Sequence, residues 1–296
     1  MPTSMLEKVA KLLAQAENAG TQAEADAFNE RAQYLSTVHS IDVAKARHIT
    51  KSKEKTLPVQ RSIYIGKNGQ RGLATMVRLF LSVAKANDLK CTIAHSSTRV
   101  YAHGFAEDID IAEAIYASLI TQQAKFVEEY HKCGTWMNET VWQEADIIYR
   151  DENGKRCTKR HAVDEDYKEG GYRPITWVTA RLNFQEGYAS QIGVRLLAAK
   201  RDEEQRIIAQ EIVAQDRRAE DTPAEPQGPG TALVLVEKRE AVEEFYSSKN
   251  RHVRGSWNGG GASHSSRSMG AGRSAADRSS LGSRTGIGGT KGAITS

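Results

Sequence analysis

The sequence has little of what membrane and secreted proteins require. No run of about eighteen apolar residues occurs among its 296 residues, so we expect no membrane-spanning helix. Residues 4–17 carry charges in a helical pattern rather than an apolar core, so we also expect no signal peptide. Three cysteines, Cys91, Cys133 and Cys157, are too few for a disulfide framework, which indicates a cytoplasmic protein.

The short motifs of several large enzyme classes are absent as well. The chain has no G-x-x-x-x-G-K-[ST] loop, no G-x-S-x-G elbow and no H-E-x-x-H pair. It therefore gives no support to a P-loop NTPase, an α/β-hydrolase or a zincin. What is present is an ordinary globular composition, with 39% hydrophobic and 26% charged residues, enough for one or two cores.

Charge is distributed unevenly along the chain. Residues 249–296, the C-terminal segment, contain eight Lys or Arg and one acid, a net charge of +7. Residues 1–248 have a net charge of −3, so the overall +4 conceals an acidic body and a basic end. This asymmetry favours an anionic partner such as nucleic acid, although a solvated segment has the same composition.

The pattern of apolar residues predicts an α+β protein. Residues 1–48 form an antiparallel helical hairpin, in which a T-x-x-E capping box at Thr21 and Glu24 starts the second helix. Residues 58–248 form a small, mostly antiparallel sheet covered by long helices, because strand-like and helical periods alternate there. The elements expected within this body are strands at 59–65, 91–95, 100–105 and 231–236, and helices around residue 80 and at 108–132, 175–216 and 240–248.

Three segments depart from the regular pattern of the body. Residues 133–173 are polar, contain Trp136 and Trp142, and are expected to be an insertion with a hairpin at Asn153-Gly154. Residues 219–230 hold three of the six prolines and predict a linker. Residues 255–296 contain eleven glycines, so disorder, a flexible tail, is expected there.

The N-terminal segment resembles a known family. The stretches that carry the resemblance are LEKVAKLLAQAE at 6–17, GTQAEA at 20–25, AQYL at 32–35 and SID at 40–42. They are similar to the bacterial and bacteriophage domain of unknown function 2786 (DUF2786). Weaker similarity to the region that follows this domain in phage members occurs at 104–109, 184–188 and 232–236. The resemblance implies a phage, a prophage or an actinobacterium-like host, and no catalytic role.

The C-terminal segment provides the leading candidate site. Its cations would contact phosphates of nucleic acid, with Trp257 and Tyr246 stacking on unpaired bases. Two alternatives stay open: a plain tether, and a short helix packed through Gly270, Ser274 and Arg278. The residues predicted to bind nucleic acid are Arg251, Arg254, Arg267, Arg273, Arg278, Arg284 and Lys291.

Two further clusters have weaker patterns. His131, Cys133, Cys157 and His161 are compatible with a structural zinc ion, but they lack C-x₂-C spacing, and exposed surface residues are the favoured interpretation. A rival hypothesis is a metal-dependent hydrolase or nuclease. The stronger interpretation of the acids Glu107, Asp108 and Asp110 is structural, because acids at the start of a helix favour the positive end of its dipole. The residues of this rival catalytic site are Asp108, Asp110, His95 and His103.

The hairpin itself offers a third surface. Lys8, Lys11 and Arg31 would contact phosphates or a host protein, but a solvated helix face is the favoured interpretation. Three function hypotheses result: a non-enzymatic accessory protein that binds nucleic acid or a nucleoprotein complex, a metal-dependent hydrolase, and a protein-interaction module acting on a host protein. No cofactor is expected beyond the weakly indicated zinc.

Overall fold

The computed structural model describes residues 5–17, 22–49, 57–144, 147–150, 156–159, 170–221, 230–251, 253, 257, 259 and 264–279. The α-helices within these residues are α1 (Met5–Glu17), α2 (Gln22–Ile49), α3 (Leu73–Ala86), α4 (Ala106–Cys133), α5 (Trp177–Asp221), α6 (Thr231–Lys249) and α7 (Ser266–Arg278). The strands are β1 (Val59–Tyr64), β2 (Lys90–Ile93), β3 (Arg99–Gly104), β4 (Thr140–Glu144), β5 (Ile147–Arg150), β6 (Arg156–Lys159) and β7 (Gly170–Pro174). Among these helices, none combines the length and apolar composition needed to cross a membrane.

The N-terminal helical hairpin is confirmed. Helices α1 and α2 pack against each other, and the hairpin lies against α4, α5 and α6. Val9 and Leu13 from the predicted apolar face of α1 are buried, as is Ala32 of α2. The capping residue Thr21 lies outside the described residues.

A three-stranded antiparallel sheet confirms the α+β class. Its strand order is β1-β3-β2, so the central strand β3 pairs with both neighbours. Because side chains alternate along a strand, Val100 and Ala102 enter the core with α3 and α4. His103 lies on the opposite face and contacts Phe245 and Tyr246 of α6. The sheet is therefore covered on both faces.

Helix α5 is the central element of the helical layer. It packs closely on α3 and α7, and Phe184, Tyr188 and Ile192 on its inner face are at most 2% exposed. The sequence places Gly187 and Gly193 in this helix, where glycine weakens the helix. Both are explained by close approach: a Cβ at Gly187 would overlap the carbonyl of Met269, and one at Gly193 would press on Ser82.

Residues between α4 and α5 form two nested antiparallel pairs. Strand β4 pairs with β7. Strands β5 and β6, which lie between them in the sequence, pair with each other. A 3₁₀ helix at Thr135–Asn138 leads into β4, and the amide of Ile175 donates to the carbonyl of Glu139 at the base of the ribbon. The predicted hairpin is present, although its Asn153-Gly154 turn lies outside the described residues.

The strand predicted at 231–236 is wrong. These residues form the first turns of α6, which continues without interruption to Lys249. Val234, Leu235, Lys238 and Val242 are buried at helical spacing, and Glu211 of α5 accepts a hydrogen bond from the amide of Thr231. Residues 231–236 are rich in apolar and β-branched side chains, which favours a strand. The helical spacing of the buried residues over the whole segment and the hydrogen bond to Glu211 outweigh that local preference.

Disorder is also the wrong expectation for residues 266–278. This segment forms α7, even though two glycines and three serines in thirteen residues make it a poor helix former in isolation. The alternative of a packed short helix is correct in kind, but Gly270 faces open space and Ser274 is exposed. The buried face instead consists of Ser268, Gly272, Ala275 and Ala276.

The contact between α7 and α5 predicts opposite effects at two glycines of α7. A Cβ at Gly272 would overlap the backbone of Phe184, so Gly272→Ala should destabilise the protein by about 1–3 kcal/mol. Gly270→Ala is the matched control and should stabilise it by about 0.5–1 kcal/mol, because its Cβ meets nothing. Urea denaturation measures both, and equal effects would contradict the packing.

Candidate nucleic-acid interface

The N-terminal end of α7 is fixed by a buried carboxylate. Glu139 is 5% exposed and accepts hydrogen bonds from Ser265 Oγ at 2.5 Å, Ser268 Oγ at 2.6 Å and Tyr130 Oη at 2.8 Å. We name these four residues the Glu139 cluster. Ser265 is the N-cap of α7, so the carboxylate lies at the positive end of the helix dipole.

The donors of this cluster are themselves held in place. Burial raises the pKa of Tyr130 to about 12, so its hydroxyl keeps its proton and remains a donor. The same hydroxyl lies 3.0 Å from Ser268 Oγ. The amide of Ser265 donates to Asn183 Oδ1 of α5 at 3.0 Å. The start of α7 is therefore bonded to α4, to the base of the ribbon and to α5.

The C-terminal end of α7 is bound by an arginine of α5. Arg195 donates to the carbonyl of Ala276 and, at 2.8 Å, to that of Ser279, which places a cation at the negative end of the helix dipole. Ser279 Oγ also donates to Tyr188 Oη at 2.7 Å. Asp277, the single acid of the C-terminal segment, accepts from Gln191 at 2.7 Å.

The outer side of α7 carries three of the predicted arginines. Arg267, Arg273 and Arg278 are exposed, and Arg278 lies over the ring of Phe126 at 5.1 Å. Arg251 is exposed just after α6. The other predicted residues, Arg254, Arg284 and Lys291, lie outside the described residues. The docked helix thus presents three cations from a fixed position on the body.

The two aromatic rings expected to stack on bases are engaged within the protein. Trp257 donates from Nε1 to Ser97 Oγ at 3.0 Å and lies beneath Arg78. Tyr246 packs edge-on against His103 at 5.1 Å. Both rings are half-buried and already make contacts within the fold, which leaves less of each face open; their stacking on bases stays a prediction.

A different aromatic pair is exposed. Trp142 of β4 and Tyr172 of β7 are direct partners in the register, with ring centroids 5.5 Å apart and planes at 75°. Their exposed fractions are 47% and 73%. The sequence places Trp142 in the polar 133–173 segment but gives no sign of its exposure, because the pairing with Tyr172 lies thirty positions away along the chain.

The four residues of the rival catalytic site do not converge. Asp108 is buried, where it pairs with Lys238 at 3.0 Å and accepts from Ser40 Oγ at 3.3 Å. Asp110 pairs with Arg61. His103 is fully buried, with Nε2 facing the Asn250 amide at 3.2 Å, whereas His95 is exposed on the turn after β2.

Across the described residues, no group of three or more His, Cys, Asp or Glu side chains could hold a metal ion. Asp108 and Asp110 are two positions apart on α4, so they point to different sides of the helix. Asp108 and Asp110, at the start of α4, are therefore ion-pair partners of Lys238 and Arg61. This supports the structural interpretation of these acids over the catalytic one.

Asp108 belongs to a buried ionic network instead. Lys238 is also 3.8 Å from Asp88, which pairs with Lys200 at 2.5 Å and with Arg239 at 3.2 Å. Burial alone would raise the pKa of Asp88, but these three cations lower it below its usual value. Because Lys238 also donates to Ser40 of α2 at 2.5 Å, the network ties the N-terminal hairpin to the body.

The suggested zinc ligands have other surroundings. His131 packs against Trp177 at 4.3 Å and Trp136 at 6.2 Å, and Cys133 Sγ lies 3.2 Å from both the Tyr130 carbonyl and Thr135 Oγ1. Cys157 is in β6, where only the backbone is described, and His161 lies outside the described residues.

The hairpin cations lie where a solvated face would place them. Lys8, Lys11 and Arg31 are exposed, and Arg31 stacks over Tyr34 at 5.0 Å. Lys8 and Lys11 are three positions apart on α1 and lie near each other on one side of that helix; contact of these cations with a nucleic acid or a host protein stays a prediction.

The comparison with known families concerns the hairpin. Residues 4–43 match the family model described as "Protein of unknown function (DUF2786)", which covers α1 and most of α2 and confirms the resemblance of the N-terminal segment. Neither a curated protein nor a solved structure matches the chain. The weaker similarities further along the chain lie outside the matched residues and stay predictions.

The buried network predicts a large effect at Lys238. Lys238→Met should cost about 3–5 kcal/mol of folding free energy, because it leaves the buried Asp108 without its cation. Lys90→Met is the control: it breaks the half-exposed pair with Glu243 and should cost less than about 1 kcal/mol. Urea unfolding compares them; a small loss at Lys238 would show that Asp108 is not held by this cation.

Burial of His103 predicts a pH-dependent stability. Burial lowers the pKa of His103 below its usual value, whereas the unfolded side chain takes up a proton near pH 6.5, so stability should be lost as the pH falls below about 6.5. His103→Gln should flatten the change in urea midpoint between pH 7 and 5, and His95→Gln, at an exposed site, should leave it unchanged. Parallel profiles for wild type and His103→Gln would refute the assignment.

Proposed function

We propose that the protein is a non-enzymatic, cytoplasmic accessory protein of phage or prophage type that binds nucleic acid or a nucleoprotein complex. It does so through backbone phosphates, without strong sequence preference. The observation that carries this proposal is the outer face of α7, where Arg267, Arg273 and Arg278 are exposed on a helix fixed to the body at both ends.

The geometry of α7 suits a polyanion. Arg267 and Arg278 are eleven residues apart, close to three helical turns, so they share one side of the helix about 16 Å apart along its axis. Arginine pairs well with phosphate oxygens. Holding the helix on α5 removes much of the entropy that a free tail would lose on binding.

The same surface argues against recognition of a base sequence. Contacts to phosphate position a protein but carry no sequence information, and reading of bases needs several Arg, Asn or Gln side chains directed at base edges. The other exposed residues of α7 are Ser266, Ser274 and Asp277, and the carboxylate of Asp277 accepts a hydrogen bond from Gln191. The residues beyond Ser279 add Arg284 and Lys291 and no acid, which extends the same type of contact.

Removing charge from the C-terminal segment should weaken binding and reduce its salt dependence. The variant replaces four cations by Gln: Arg267, Arg273, Arg284 and Lys291. Each cation that contacts a phosphate contributes about 0.7–0.9 to the slope of log K against log salt, so the slope of a gel-shift or filter-binding series should fall by about 2–3 if most of the four make such contacts. The full chain is used, because truncation at residue 248 would also remove α7.

The matched control removes the same charge from the body. It carries Gln at four other exposed positions: Lys8, Lys11, Lys67 and Lys85. It should keep most of the affinity of the wild type. Equal losses in the two variants would show a general effect of net charge, and negligible binding by the wild type itself would remove the proposal.

A further inference from the structure

The aromatic pair formed by Trp142 and Tyr172 differs in exposure from the other tryptophans of the protein. The other three tryptophans, Trp136, Trp177 and Trp257, pack against the hydrophobic core. Trp142 and Tyr172 are exposed by 47% and 73% instead. Two large rings exposed together forgo the free energy of burial that the fold obtains from the others.

The register of the ribbon fixes these rings on its outer face. Val141, the neighbour of Trp142 in β4, is 1% exposed and belongs to the core. Because side chains alternate along a strand, the face opposite Val141 carries Trp142 and its direct partner Tyr172. A shift of one residue would expose Val141 and break the core contact, so the rings are held outward.

The aromatic pair lies near helix α7 at the base of the ribbon. Ser265 and Ser268 bond to Glu139, three residues before Trp142, which brings the start of α7 and its exposed Arg267 to this end. Arg173, next to Tyr172, is also exposed, but as the register partner of Val141 it leaves the strand on the opposite face. The cationic helix of the proposed phosphate interface is therefore the charged neighbour of the two rings.

We propose that the aromatic pair stacks on an unpaired base, so that the nucleic acid bound by this protein is single-stranded. This inference rests on the proposed function and specifies its ligand. Flat rings beside a helix that carries exposed arginines match a chain of bases joined by phosphates. A protein partner that docks through apolar contacts would need a larger apolar patch than these two rings provide.

Stacking on these rings favours a single strand over a duplex as the ligand. Inside a duplex each base face is covered by the neighbouring bases, whereas the faces of unpaired bases are open to aromatic side chains. The two planes meet at 75°, so they cannot hold a base between parallel faces. One base stacks on one ring, and the second ring borders it.

The test compares a single-stranded dT20 oligonucleotide with the dA20·dT20 duplex on the full-length protein. In the Trp142→Ala/Tyr172→Ala double variant, affinity for dT20 should fall at least about tenfold, the size expected when stacking is lost. Affinity for the duplex should stay within a factor of about 3, because phosphate contacts are kept. The salt slope for dT20 should not change, because stacking releases no counterions.

Two control variants separate stacking from general effects. Trp142→Phe keeps an aromatic face and should retain most of the affinity for dT20. Tyr64→Ala removes an aromatic ring that is 59% exposed on β1, away from the ribbon, and should change nothing. Urea unfolding of the double variant should keep a single cooperative transition with a modest loss of stability, because the two rings contact each other and Trp142 is half-buried.

The outcomes distinguish this inference from the proposed function. If the wild type binds both oligonucleotides and the double variant keeps its dT20 affinity, the aromatic pair does not stack on bases while the phosphate interface stands. If the wild type binds neither, the proposed function fails. A double variant that loses self-association in sedimentation, with unchanged dT20 binding, would assign the rings to a second copy and overturn the inference.

Discussion

The C-terminal half of this structure depends on how Glu139 is satisfied. Its buried carboxylate is held by hydroxyls of Ser265, Ser268 and Tyr130 at 2.5–2.8 Å, and it faces the positive end of the α7 dipole. A carboxyl group buried without such donors would strongly destabilise the fold. The same bonds hold a glycine- and serine-rich segment that has little tendency to be helical alone. The segment therefore supplies donors to the Glu139 carboxylate, and the carboxylate in turn stabilises the start of α7.

This docking changes what the basic end of the chain can do. A free tail of +7 would act as a diffuse attraction, whereas α7 presents three arginines at fixed positions beside the body. Its far end is bonded by Arg195, so the helix is held against fraying at both termini. The N-terminal hairpin is fixed by other means: the network around Lys238, Asp108 and Asp88 joins it to the body. Buried residues of the hairpin and of α7 belong to the same hydrophobic core.

Sequence periodicity predicted the elements that local patterns define. The hairpin, the β2–β3 pair and helix α4 follow from apolar spacing, and the class is α+β as expected. The errors lie where long-range partners decide. Helix α7 requires Glu139, more than a hundred residues away, and close contact of Gly272 with Phe184. Residues 231–236 are helical because the buried residues of α6 continue at helical spacing beyond them and because Glu211 accepts a hydrogen bond from the amide of Thr231. Likewise, no local signal showed that Trp257 is packed and Trp142 exposed.

Residues 266–278 form a docked helix before any partner binds. Hydrogen–deuterium exchange of the full-length protein, measured without nucleic acid, tests this docking. The amides of α7 should be protected to a degree similar to those of the contacting part of α5, because the two helices pack against each other as one cooperative unit. Exchange of 266–278 at the rate of an unstructured peptide would contradict it, and with it the fixed placement of the arginines.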